Sequence, residues 1–475
     1  MKPLFKEVNS LDRKCYNRYK LTEDILMEHA SYRIALEIYQ RIKRGSRIAI
    51  VAGPGNNGGD GIGLARILLG DYEVHLYLPL GAKSPMAKLQ LERFLAVGGE
   101  VIQWKKGQPI EGDVIVDALF GSGLKRDLKG ELICLIKALN RQKGLKIACD
   151  IPSGLDEVGN PRPEAFKADL TITMGAEKVS LYSDFAKDYV GKVIVADLGV
   201  SFRKYRGRTN YYRLEEEDFT PPIRTRQNSH KRSYGHLGVV IGEKPGAGVL
   251  TALSALNFGT GLVTCVSDRE LPLPFELISS HRLESFSAIA VGMGLGDRVA
   301  LYMGRLLEEL ERETPMVIDA DLFYHKEVVQ FLNGKKVVLT PHPKEFAGLI
   351  EQLGWGKLTS REVQQKRFEL VERFTDIYPE VVLVLKGANR IIAYKGQIYI
   401  DPLGDVALAK GGSGDVMGGL IAGLLAQGYH PLKGAIIGSL ALSLAGRWTP
   451  NYSLTPIKLI EQVAQLGNGG ISTKR

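Results

Sequence analysis

Short apolar runs, each closed by a glycine, proline or aspartate loop, set the rhythm of this chain. Residues 47–52, 73–78, 113–118, 145–149, 169–173 and 192–196 carry such runs, rich in Val and Ile. Continuous apolar stretches of that length suit parallel strands buried on both faces. Helical patterns lie between them. Thr22 can cap a helix that opens on Glu23 and Asp24, and Ile25, Leu26, Ala30, Ile34, Ile38 and Ile42 recur along it at helical spacing. Strands alternating with helices predict an α/β layer fold, in which ligands sit beyond the carboxyl ends of the strands.

Residues 201–232 break this rhythm with a basic run at 203–208, an acidic triplet at 215–217, Pro221-Pro222 and Arg224-Thr225-Arg226. The shift predicts a domain over 1–210, a linker over 211–228 and a second domain over 229–475. A second α/β pattern follows, with strands expected at 237–241, 262–266, 288–292, 316–318, 337–339 and 381–385. It is no copy of the first, so the chain is not an internal repeat. Its 475 residues exceed one core, which also favours two or three domains.

Composition narrows the class. Hydrophobic content of 44% and charged content of 24% are those of a globular protein without a membrane span or signal-peptide core. Four scattered cysteines lack metal-ligand spacing and fit a reducing, cytoplasmic setting. The net charge of +9 reads as a solvated basic surface, so neither nucleic acid nor membrane is expected as a partner.

The candidate chemistry lies in the loops. Gly411-Gly412-Ser413-Gly414-Asp415 precedes an apolar run and suits a backbone loop opening a buried helix. Its free N–H groups and positive dipole end can hold phosphate, and Asp415 can take a substrate proton or position a metal. In the first half, Gly53-Pro54-Gly55-Asn56-Asn57-Gly58-Gly59-Asp60 follows a strand run. Gly53, Gly55 and Gly58 satisfy G-x-G-x-x-G, and Glu73 lies twenty residues after Gly53, so a dehydrogenase-type site is a live reading. The paired amides equally suit a sugar or phosphate edge, or an oxygen-coordinated ion. Asp117 ends the run before Phe120-Gly121-Ser122-Gly123-Leu124, and Asp150 ends the next, before Ile151-Pro152-Ser153-Gly154. Three such strand ends predict one shared crevice.

The second half repeats this logic at other strand ends. Small residues at Gly246, Ala247 and Gly248 allow a ligand close to the backbone. Gly292-Met293-Gly294-Leu295-Gly296 and the acids Asp319 and Asp321 follow further runs. His342 stands between two prolines in Thr340-Pro341-His342-Pro343-Lys344-Glu345, and Lys386-Gly387-Ala388-Asn389-Arg390 supplies cations suited to nucleotide phosphates.

Residues 55–61, 117–123 and 150–154 resemble the NAD(P)H-hydrate epimerases, and Met27-Glu28-His29-Ala30 looks like that family's Met-Glu-Asn-Ala helix. The resemblance implies that the hydrated nucleotide is held by Asn56, Asn57, Gly58, Gly59 and Asp60, and by Gly121, Ser122, Gly123, Leu124, Lys125, Arg126 and Asp127. It implies K+ at Asn57, Asp117 and Ser153, with Asp150 as the catalytic group on the reacting ring and Lys192 as an electrostatic partner. The second half is similar to the ribokinase-like, ADP- or ATP-dependent NAD(P)H-hydrate dehydratases, on Thr340-Pro341-His342-Pro343 with Glu345, Leu385-Lys386-Gly387 and Lys410 to Asp415. That implies a hydrate pocket at Gly248, Gly294, His342 and Asp415, with Asp415 catalytic. Lys386, Gly387, Ala388, Asn389, Arg390, Gly412, Ser413 and Gly414 would hold ADP or ATP with Mg2+. Met293, Lys344 and the 401–406 segment depart from the family's pattern.

In tandem the two halves imply a Rossmann-like three-layer domain followed by a ribokinase-like α/β domain. The implied function is repair of hydrated NADH and NADPH: epimerisation of the R and S forms, then dehydration of the S form, by an enzyme expected to be a homo-oligomer. The alternative is a vitamin or sugar alcohol kinase carrying a non-catalytic N-terminal binding domain.

Overall fold

A computed structural model describes residues 1–105, 107–124, 126–447 and 451–467. The chain forms two compact units, one spanning 3–209 and the other 210–475 together with Met1 and Lys2.

In the first unit all seven strands run parallel, in the order Val101–Ile102, Glu73–Tyr77, Arg47–Ala52, Val114–Ala118, Leu145–Cys149, Leu170–Met174 and Lys192–Ala196. Each of the six apolar runs supplies one of these strands, with bounds moved by at most a residue or so. Val101–Ile102 is too short to carry a pattern. Helices cover the sheet because central strands such as Ile48–Ala52 are solvent-free on both sides. Helix Glu23–Arg41 buries Leu26, Ala30, Ile34 and Ile38, whereas Ile25 is exposed, so the stripe is narrower than its sequence suggests. Thr22 takes the extended N-cap conformation without a side-chain cap bond. Sheet order reverses between Arg47–Ala52 and Val114–Ala118, because the chain moves outward from the first strand in both directions. A crevice opens beyond the carboxyl ends of such a pair, which is where helix Asn56–Leu68 begins and Asp117 lies.

The second unit repeats the reversal between His236–Val240 and Ala288–Val291. Five more parallel neighbours extend its sheet: Leu262–Val266 and Ile278–Ser280 on one side, Met316–Ile318, Val337–Leu339 and Val382–Leu385 on the other. An antiparallel hairpin, Arg390–Tyr394 and Gln397–Asp401, continues it. Tyr211–Arg213, inside the segment expected to be a linker, then pairs with Gln397–Asp401. Helix Ser413–Ala426 is apolar and buried almost all round, packed against Pro245–Asn257 and Pro431–Ala445.

Beneath the hairpin lies a buried ion pair. Arg390 reaches Asp401 at 2.9 Å, and both also bond Ser439 and Ser443 of helix Pro431–Ala445. Burial pushes the Asp401 carboxyl upward, but Arg390 and the two hydroxyls outweigh it and hold the acid below its ordinary range. Removing one partner strands a charge in the core. Asp401→Asn is therefore expected to cost about 3–5 kcal/mol of stability, read from urea unfolding of the full chain.

Candidate active sites

The first site is built by backbone geometry at three strand ends. Gly58 lets helix Asn56–Leu68 start against the preceding loop, since a Cβ there would lie 1.9 Å from the Gly53 carbonyl oxygen. Asp117 is solvent-free. Its carboxylate accepts the Ser153 amide at 2.7 Å, the Ser153 hydroxyl at 2.6 Å and the Leu119 amide at 3.2 Å. Burial raises it to about 6 despite those bonds. Ser153 Oγ in turn accepts the Phe120 amide, which ties the loop after Val114–Ala118 to the one after Leu145–Cys149. Asn57 sits in the first helical turn with both amide atoms buried and without a hydrogen-bond partner among the described residues. A Cβ placed on Gly121 would lie 3.1 Å from Asp150 Oδ2 and 3.4 Å from Asn57 Oδ1, so these three residues line one gap.

Asp150 holds a left-handed backbone, φ 69°, which a non-glycine residue adopts at a cost of ~1–3 kcal/mol where surrounding structure compels it. The compulsion is visible. Asp150 Oδ1 accepts Lys178 Nζ at 2.6 Å, the Met174 amide at 3.0 Å and the Thr173 hydroxyl at 3.3 Å. Lys178 is 1% exposed and also donates to Thr173 Oγ1 and the Met174 carbonyl. Sequence reasoning missed this lysine, although it follows a strand end and a glycine in Met174-Gly175-Ala176-Glu177-Lys178. Lys192, the expected partner, is an exposed residue at the opposite end of its strand.

The remaining residues of this set are dispersed. Gly59 is buried against Met27, and Asp60 is buried, its carboxyl pushed well up by desolvation and by Asp150. Asn56 turns outward to Glu23. Ser122, Gly123, Arg126 and Asp127 form an exposed lip with Leu124 half-buried, and Lys125 lies outside the described residues. The dehydrogenase reading fails on Glu73. It opens its strand in register with Arg47, to which it is ion-paired, at the end of the sheet away from the glycine loop.

The second site gathers at the loop before helix Ser413–Ala426. Gly412 is its N-cap in the left-handed region, φ 93°, and the Ser413 amide that follows donates to the Lys410 carbonyl at 3.3 Å. Asp415 stands in the first turn, and Thr251 donates to its carbonyl at 3.1 Å. Burial first, then the nearby Asp319 and Asp321 carboxylates, raise Asp415 to about 6 against the pull of Lys386. Lys386 Nζ reaches Asp319 Oδ1 at 2.6 Å and Glu345 Oε2 at 3.7 Å, and a Cβ on Gly414 would lie 3.3 Å from it. Lys386 is thus the cation of an acidic cluster under the glycine loop. Asp321 braces a further loop by accepting the Gly296 amide at 2.9 Å.

His342 is the N-cap of helix Pro343–Gln352, its Nδ1 accepting from the Lys344 and Glu345 amides at 3.1 Å each. That leaves Nε2 as the proton-bearing nitrogen, 3.1 Å from Glu345 Oε1. Burial and Lys386 lower the imidazole and so keep it neutral, while burial raises Glu345. Lys344 takes part through its amide, which any residue except proline supplies. Met293 is buried, with its Sδ-methyl facing Gly418 of the helix.

Other expectations meet the structure differently. Gly248 faces Ile241 and Gly294 faces Lys244, so both permit close packing at the loops. Gly387 is half-buried and Ala388 exposed, and the Asn389 carbonyl accepts from buried Arg367 at 2.8 Å. Arg390 is corrected: its guanidinium is turned into the core on Asp401, not toward a nucleotide. The alternation of a strand places it on the inner face, a distinction the Lys-Gly-Ala-Asn-Arg run does not reveal.

Two family models match the chain: one described as the YjeF-related protein N-terminus, over residues 23–180, and one as NAD(P)H-hydrate dehydratase, over residues 237–465. The chain is 44% identical over 476 residues to a bifunctional NAD(P)H-hydrate repair enzyme of Helicobacter pylori, across 98% of this chain and 100% of that one. An enzyme of the same name from Dictyoglomus turgidum is 30% identical over 91% of each chain. Among solved structures, an ADP/ATP-dependent NAD(P)H-hydrate dehydratase from Bacillus subtilis, co-crystallised with ATP and Mg2+, is similar over 54% of this chain and 98% of its own. Its identity is 25% and its TM-score 0.45. Both units thus fall within one continuous similarity, and the chain belongs to the family of bifunctional NAD(P)H-hydrate repair enzymes.

Proposed function

We propose that the two units act in succession on one damaged cofactor. The first interconverts the R and S forms of hydrated NADH or NADPH, and the second dehydrates the S form at the expense of ADP or ATP. The observation that carries this is the pairing of two differently poised acids. Asp150 is charge-matched by Lys178, and Asp415 is raised to about 6 at a phosphate-holding loop.

In the second unit Asp415 takes the proton of the C6 hydroxyl as that oxygen attacks the donor's terminal phosphoryl group. The amides at Gly412 to Gly414 face the charge that builds on the transferred oxygens. Phosphate then leaves from C6 as a proton leaves C5, which restores the dihydronicotinamide double bond. Asp319 and Glu345 are the carboxylates suited to hold Mg2+, which would neutralise the donor phosphates. Lys386, 2.6 Å from Asp319 and 3.7 Å from Glu345, holds those carboxylates in place.

In the first unit Asn57, Asp117 and Ser153 are proposed to hold K+. The fit rests on the buried amide of Asn57, unpartnered among the described residues and facing the Gly121 gap beside Asp150. Such an ion would supply positive charge that fixes the loops around the nucleotide.

The test is near-ultraviolet absorbance of mixed R and S NADH hydrate with Mg2+, K+ and either ADP or ATP. Full donor-dependent recovery of the dihydronicotinamide signal, faster than spontaneous epimerisation, is the expected result. Recovery confined to the S fraction would remove the epimerase half of the proposal. A stable phosphorylated product without recovery would favour the alcohol kinase.

A further inference from the structure

A pocket of about 90 Å³ opens beside the Asp150–Lys178 pair, with Asp12, Tyr16, Met27, Asp60, Met174 and Leu198 among its walls. Met174 joins pocket to pair, since its amide donates to Asp150 and its carbonyl accepts from Lys178. Apolar walls with a few carboxyls suit a reduced ring carrying one hydroxyl. Asp12 and Leu198 lie outside the matched family region of 23–180.

Asp12 does not stand alone. The Tyr205 hydroxyl donates to its Oδ1 at 2.7 Å. Tyr205 is 1% exposed, and a Cβ on Gly175 would lie 2.4 Å from its hydroxyl, so the donor is fixed against the loop leading to Lys178. Burial raises the Asp12 carboxyl, with Asp150 and Glu7 adding, while the Tyr205 bond and Lys178 oppose. Cys15, Tyr16 and Asp60 face the same charge. Asp60 is nine-tenths buried in the same wall, and its carboxylate meets only the weak Cys149 thiol donor, at 4.0 Å, among the described residues. The pocket therefore presents two carboxyls, those of half-buried Asp12 and buried Asp60, next to the strand end that holds the ammonium-bound Asp150.

Moving a hydroxyl from one face of C6 to the other needs an acid at one face and a base at the other. A single carboxylate cannot hold both positions. We propose that Asp12, steadied by Tyr205, is the second proton carrier of the epimerase site and works opposite Asp150. This rests on the epimerase function proposed above. Asp12 gives its proton to the C6 hydroxyl; the C6–O bond breaks, water leaves and the ring-nitrogen lone pair forms the N1=C6 bond. A water then adds from the other face; as the new C6–O bond forms, its proton passes to Asp150 and the lone pair returns to nitrogen. The proton gained by Asp150 and lost by Asp12 exchanges with solvent. No oxidant or reductant takes part.

The full-length chain and its Asp12→Asn, Asp12→Glu and Tyr205→Phe variants are assayed for R-to-S conversion across pH, and titrated with hydrate under conditions without turnover. Asp12→Asn is expected to lower epimerisation about 100-fold or more and to erase the alkaline limb of the pH profile. Its hydrate Kd stays within about threefold, and its dehydration of pure S hydrate is unchanged. Asp12→Glu restores part of the rate. Tyr205→Phe removes a bond that favours the carboxylate, so the alkaline limb moves to higher pH. An Asp12→Asn variant within about threefold of the parent at every pH overturns the proposal, as does a loss confined to Kd with the profile unmoved. If Asp12→Asn does not fold, an unmoved limb in Tyr205→Phe overturns it. A parent chain without epimerase activity would instead overturn the function on which the proposal rests.

Discussion

Asp415→Asn is expected to abolish donor-dependent dehydration, with kcat falling about 1,000-fold or more, while R–S conversion proceeds as before. In the proposed mechanism this carboxylate takes the proton, and it stands in the first turn of a helix whose N-terminal amides suit phosphoryl oxygens. Asparagine keeps the shape and loses the basicity. The same group sets the pH dependence. Asp415 must be ionised to act, and its pKa is raised to about 6, so kcat/KM for S hydrate is expected to fall as pH drops through about 6. The parent profile should bend there, and stopped assays with purified S hydrate read both effects. A profile flat down to pH 5 would assign the proton to another residue.

The second large effect belongs to Lys178. Lys178→Met removes the ammonium that holds Asp150 at 2.6 Å and leaves a buried carboxyl without its counter-charge. The carboxyl then takes up a proton instead of acting as a base. Epimerisation is expected to drop about 100-fold or more, and the first unit to lose about 3–5 kcal/mol. Asp150→Asn shares the catalytic loss. Dehydration of pure S hydrate should survive both changes. Urea unfolding and the two separate assays distinguish these outcomes, and loss of both activities in folded protein would contradict the assignment of one site to each unit.

Much of the architecture was legible because buried parallel strands write themselves as unbroken apolar runs. The runs at 145–149 and 192–196 coincide with strands residue for residue. What escaped depended on contacts between distant segments. Tyr211–Arg213 joins a sheet whose other partner arrives nearly two hundred residues later, and nothing local marks it as a strand. Arg390 read as a phosphate ligand because a strand end beside a glycine suggests exposure, yet alternation turns it inward to Asp401. Glu73 satisfied a spacing rule and lies at the wrong end of the sheet. Asp117, Asp150 and Asp415 were readable as strand-end or loop acids, whereas Lys178 and Asp12 acquire meaning only once the fold brings both within electrostatic reach of Asp150.

The cluster beneath the glycine loop has an imbalance of its own. Asp319, Glu345 and Asp415 lie close to the Lys386 ammonium, and Asp321 adds a fourth carboxyl beside Asp415. A bare polyphosphate approaching this surplus of negative charge is repelled, while one whose charge is already cancelled by a cation is not. If the second unit takes its nucleotide there as proposed, this charge balance favours the cation-bound form over the bare one before any contact with base or sugar.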